Sequence, residues 1–75
     1  MAMENNKFQK ALLITSRGDG MRWYADMVGQ TVPLLVVEAT EYKSREPEGY
    51  VNFVQLGDAN IIDVPKDWEF DYGIR

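Results

Sequence analysis

The side chains that could do chemistry in this chain are carboxylates, cations and aromatics. Asp58, Asp63, Asp67, Glu69 and Asp71 gather in its last third. Two carboxylates can act as general acid and base when their surroundings drive their pKa values apart, and several at fixed spacing can hold Ca2+. These five lack the spacing of a Ca2+ loop, and nothing in the sequence buries any two together. They read as a solvated acidic face. Ser16 and Ser44 have no histidine to activate them, because the chain contains none, and Lys43 beside Ser44 lies in no Ser-Lys motif. With cysteine absent as well, the commonest general base, the thiolate nucleophile and the usual transition-metal ligands are all missing. The expectation is a protein that is not an enzyme and carries no metal or cofactor.

Arg17-Gly18-Asp19 matches an adhesion tripeptide, but the following Gly20 makes the segment a turn built from residues that tolerate positive φ. Neither a Lys-Ser/Thr pair nor a helix start follows it, so it is not a phosphate loop. The aromatics carry more weight. Trp23, Tyr24, Tyr42 and Tyr50 fall in loops or at strand positions that can face outward, and Trp, Tyr and Arg are the favoured anchors of protein interfaces. The alternative for each is closure of the ends of a small core. Arg17, Arg22, Lys43 and Arg45 would form a basic patch beside the tyrosines if the fold brought them together, which is the arrangement single-stranded nucleic acid needs. Trp68, Phe70 and Tyr72 alternate with Asp67, Glu69 and Asp71. As a strand, this tail would put aromatics on one face and acids on the other, either folding back on the domain or docking into a partner.

The elements that must position these groups are short. Seventy-five residues make one domain with a small core. Apolar residues at 45% and charged residues at 27% are ordinary for a folded protein. The net charge of −4 repels phosphate backbones, which sets nucleic acid behind protein as a partner. No apolar run approaches the roughly 20 residues that cross a bilayer, and Met1 to Lys10 has no signal-peptide core. The cytoplasm is therefore the expected location.

Residues 1–9 read as a flexible start, 10–65 as the folded domain and 66–75 as an acidic-aromatic tail. Within the domain, Ala11–Thr15 is a buried strand ended by the glycine turn. Trp23–Gly29 is an irregular loop. Thr31–Ala39 is a strand with Val32, Leu34 and Val36 on one face, placed at an edge or bulge because Pro33 has no N–H. Glu41–Arg45 is a short polar strand, Glu46-Pro47-Glu48-Gly49 a turn, and Tyr50–Leu56 a strand with Val51 and Phe53 in the core. A 3₁₀ turn at Gly57-Asp58-Ala59 leads to a last strand, Asn60–Val64. About five short strands can manage their edges by curling into a partly open barrel.

That order resembles the SH3-like barrel. Trp23-Tyr24 followed by Gly29, then an apolar strand, Tyr42, the run Arg45-Glu46-Pro47-Glu48-Gly49-Tyr50-Val51-Asn52-Phe53-Val54, and Asp58-Ala59 resembles a group of small uncharacterised bacterial, prophage and bacteriophage proteins. The likeness spans Leu12 to Val64 and is most specific at Gly49-Tyr50-Val51-Asn52-Phe53-Val54. It implies an all-β, five-stranded SH3-like barrel of phage or prophage origin in the bacterial cytoplasm. The features of proline-rich peptide recognition are missing. The long loop is not an acidic cluster, and the 3₁₀ segment has neither Pro nor Tyr. The expected function is a non-enzymatic interaction module that binds a host or phage protein through Trp23, Tyr24, Tyr42, Arg45, Tyr50, Trp68, Phe70 and Tyr72. Self-association through the tail or an edge strand is a further option.

Overall fold

A computed structural model describes residues 7–70 of the chain. It holds six strands: β1 (Phe8–Ile14), β2 (Thr31–Pro33), β3 (Val36–Val37), β4 (Glu41–Arg45), β5 (Val51–Gln55) and β6 (Ala59–Pro65). A 3₁₀ turn at Leu56–Asp58 joins β5 to β6, and there is no α-helix among the described residues. The strands form two antiparallel sheets of three, ordered β2-β1-β6 and β3-β4-β5.

One strand expected over Thr31–Ala39 is two. Pro33 supplies no N–H, so the ladder along β1 ends there, with Ala11 opposite Pro33. The Pro33 carbonyl instead accepts the Ser44 hydroxyl of β4 at 2.6 Å. Leu34 and Leu35 then carry the chain to the other sheet, where Leu35 N donates to Lys43 O at 2.8 Å. The first strand also starts earlier than Ala11, because Phe8 to Lys10 pair with Pro65 to Asp63 of β6.

The core lies between the sheets. Leu12, Ile14, Tyr24, Met27, Val32, Val54 and Ala59 form one buried cluster, with Trp23, Leu34 and Tyr42 packed against it. Val51 and Phe53 are not in it, contrary to expectation. They are 49% and 38% exposed, whereas Val54 is fully buried. The hairpin register sets this outcome. Arg45 faces Val51, Lys43 faces Phe53 and Glu41 faces Gln55, so the charged row of β4 and the odd-numbered row of β5 share one face. That face takes water, and Tyr42, Ser44, Asn52 and Val54 turn inward. The hairpin turn itself is as expected, with Gly49 at φ +103° and its N–H on Glu46 O at 2.8 Å.

Candidate functional site

The long loop between β1 and β2 is held by its two aromatics. Tyr24 is fully buried, which removes it from the surface residues expected to meet a partner. Its hydroxyl donates to Asp58 Oδ2 at 2.6 Å and accepts the Gln55 backbone N–H at 3.2 Å. Burial, followed by the bond to Asp58, pushes the Tyr24 phenol above its ordinary pKa. Asp58 is buried rather than part of a solvated acidic face, and its carbonyl accepts Thr15 N at 2.8 Å and Ser16 N at 3.3 Å. Trp23 stands edge-on to Tyr24, with ring centroids 5.4 Å apart, and its indole N–H donates to Phe53 O at 2.9 Å. The loop is thereby fastened to β5 and to the 3₁₀ turn.

Around Trp23 the loop forms an open depression of about 520 Å³, lined by Arg17, Gly20, Arg22, Trp23, Ala25 and Asp26. Arg22 lies 3.8 Å from Asp19, and the turn that holds them is closed by Met21 N donating to Asp19 Oδ1 at 2.9 Å. The other two expected cations sit elsewhere. Lys43 and Arg45 are on β4; Lys43 is 3.9 Å from Glu38, and Arg45 donates to Gly49 O at 2.8 Å. The four cations are thus two pairs on two elements, and the second pair is engaged within its own sheet.

The surface that sequence reasoning missed is the outer face of the β3-β4-β5 sheet. Val36, Lys43 and Phe53 stand in one row across its three strands, and Val51 lies beside Arg45 in the next. Val36 is 45% exposed, and Tyr50, which precedes β5, is 68% exposed. Tyr42 points the other way and is half-buried against the core. Of the expected partner residues, Arg45 therefore lies on this face, Tyr50 is exposed in the turn before β5, and Tyr42 faces the core.

In the tail, no strand follows Pro65 within the described residues. Trp68 N donates to Pro65 O at 2.9 Å, closing a turn, and the Trp68 indole donates to Thr31 Oγ1 at 2.9 Å. Trp68 is thus tied back to β2 rather than presented on an extended arm. Phe70 is half-buried, and Tyr72 lies outside the described residues.

Chemistry by the serines finds no geometry. Ser44 donates to a backbone carbonyl from the inner face of β4, while Lys43 projects from the outer one. Ser16 Oγ accepts the Gly18 N–H at 3.1 Å as part of the turn. No group of three or more carboxylates among the described residues is placed to hold a metal ion. No helix among them is long and apolar enough to cross a membrane. Comparison of the chain with protein-family models, curated proteins and solved structures gives no match.

Proposed function

We propose that this chain is a non-enzymatic protein-interaction module whose contact surface is the outer face of the β3-β4-β5 sheet. One observation carries the reading: Val51 and Phe53 stand exposed side by side on that face, with Val36 in the row of Phe53 beyond Lys43. Apolar side chains gathered on the exposed face of one small sheet mark a contact site. Lys43 and Arg45 cross the patch and give it a polar framing. The fold reading is a partly open SH3-like barrel. Its support is the two-residue step from β2 to β3 and the 3₁₀ turn from β5 to β6, which pass the chain between the sheets at two places. The resemblance of residues 12–64 to bacterial and bacteriophage proteins makes a host or phage protein in the bacterial cytoplasm the partner to seek.

The test is capture from a bacterial lysate on three immobilised chains: wild type, Phe53→Glu and Met21→Glu. Met21 is highly exposed in the long loop and controls for added charge. One defined protein should be retained by the wild type and Met21→Glu and lost on Phe53→Glu. Equal retention by all three, or no specific protein on any, defeats the proposal.

A second reading rests on the depression that brings Arg17 and Arg22 to Trp23. A base could stack on the indole with phosphate at the guanidinium groups. Oligonucleotide affinity that falls steeply with salt and drops in Arg17→Gln would support it; no binding at low salt would dismiss it.

A further inference from the structure

Among the described residues four strands form sheet edges, and three of them offer less to pairing. β3 is only two residues long, and β2 is three residues ending in Pro33. β5 is capped by side chains: Phe53 O accepts the Trp23 indole, Phe53 N donates to Asn52 Oδ1, and Gln55 N donates to the Tyr24 hydroxyl. These bonds occupy backbone groups that would otherwise recruit another strand.

β6 differs. It is seven residues long and, among the described residues, pairs with β1 on one side only. Lys66 N donates to Lys7 O and Thr15 N to Asp58 O, which fixes the alternation along this ladder. Asn60, Ile62 and Val64 turn their backbone groups toward β1, and Ala59, Ile61, Asp63 and Pro65 turn theirs outward. Ala59 is buried and Pro65 has no N–H. The usable edge is therefore Ile61 and Asp63, both exposed and symmetric about Ile62.

We propose that β6 pairs antiparallel with β6 of a second copy about a two-fold axis at Ile62. This register sets Ile61 of one copy opposite Asp63 of the other, and the reverse, so the free N–H and C=O groups of both residues are used together. Ile62 meets its own counterpart at a close, non-hydrogen-bonded position. Pro65 falls opposite Ala59, beyond the ladder, where its missing donor does no harm. The two Asp63 carboxylates come near each other on the diagonal, and Lys10 Nζ, 2.7 Å from Asp63 Oδ1, offsets the charge within each copy. The occupant is a second copy because the open segment is its own complement: two pairing residues, one axis, and a cation supplied beside each acid.

Sedimentation of the full chain across a wide concentration range tests this. The mass should rise from the 8.6 kDa monomer toward twice that value in the wild type. Ile61→Pro removes an outward N–H that the monomer does not use, together with the Ile61 side chain, and should hold the protein at monomer mass. Lys10→Gln should weaken association several-fold by exposing the Asp63 pair. Amide exchange on the wild type gives a second readout: Ile61 and Asp63 should slow with concentration while Phe53, on the capped edge, should not. A wild type that stays monomeric throughout overturns the proposal and leaves the edge to a different strand. Dimers that persist in folded Ile61→Pro, or exchange at Ile61 and Asp63 indifferent to concentration, overturn it equally.

Discussion

Tyr24 and Asp58, 34 residues apart in sequence, share a 2.6 Å hydrogen bond inside the core. The bond ties the long loop to the 3₁₀ turn, and the same hydroxyl takes the Gln55 N–H at the edge of β5. Three elements thus meet at one phenolic oxygen. Tyr24→Phe keeps the ring and removes that oxygen, leaving the buried Asp58 carboxyl and the Gln55 N–H without it. Urea unfolding should show a loss of about 1–3 kcal/mol. Asp58→Asn, which keeps an acceptor for the tyrosine, should lose less. A Tyr24→Phe protein as stable as wild type would contradict this account of the loop.

Tyr24 also predicts an alkaline weakness. Its folded pKa is raised by burial and by Asp58, so the folded chain keeps a proton that the unfolded chain releases near pH 10. The contribution is whole below that value and shrinks as pH rises toward the folded pKa, because the unfolded state then binds fewer protons. Stability measured from about pH 9 upward should fall more steeply in the wild type than in Tyr24→Phe. Parallel declines would show that Tyr24 is not the group responsible.

Gly18 is constrained by the same bond. At φ +64° a Cβ there would come 2.7 Å from Asp58 Oδ2 and 3.2 Å from Arg22 Cγ. Gly18→Ala should cost about 1–2 kcal/mol for the left-handed backbone, plus the displacement of Asp58. The second part should vanish when Asp58 is also truncated to Ala. A double-mutant cycle showing no coupling between positions 18 and 58 would refute the contact.

The tail gives a milder prediction. Trp68→Phe keeps an aromatic ring and loses the bond to Thr31, so stability should drop by about 0.5–1.5 kcal/mol. No change would mean that Trp68 does not hold the tail against β2 in solution.

Much of the fold was legible because the punctuation is strong. The glycine turn after β1, the loop closed at Gly29 and the Glu46–Gly49 turn all carry glycines at positive φ, while the 3₁₀ turn falls one residue earlier than expected, at Leu56–Asp58. The faces of β5 are undecided in its own sequence, because Tyr50 to Gln55 alternates apolar groups on both sides. The deciding signal lay in β4. Glu41, Lys43 and Arg45 share one face, and a tight turn from Glu46 to Gly49 sets them opposite Gln55, Phe53 and Val51. Reading the hairpin as a unit would have turned Phe53 outward. Burial of Tyr24 and Asp58 had no local signal, since their partnership spans the chain. The split of Thr31–Ala39 was foreshadowed by Pro33, but the switch between sheets depends on Ser44, which no pattern within that stretch contains.

The central claim is that adjacent residues of β5 have separate tasks, Val54 holding the fold and Phe53 meeting a partner. Measuring urea stability and lysate capture together on Val54→Ala and Phe53→Ser tests it most directly. Val54→Ala should lose about 1.5–3 kcal/mol, as expected for a fully buried valine. Phe53→Ser should stay within about 1 kcal/mol of wild type and lose the captured protein. A Phe53→Ser chain that unfolds while Val54→Ala does not, or that keeps its partner unchanged, would contradict it.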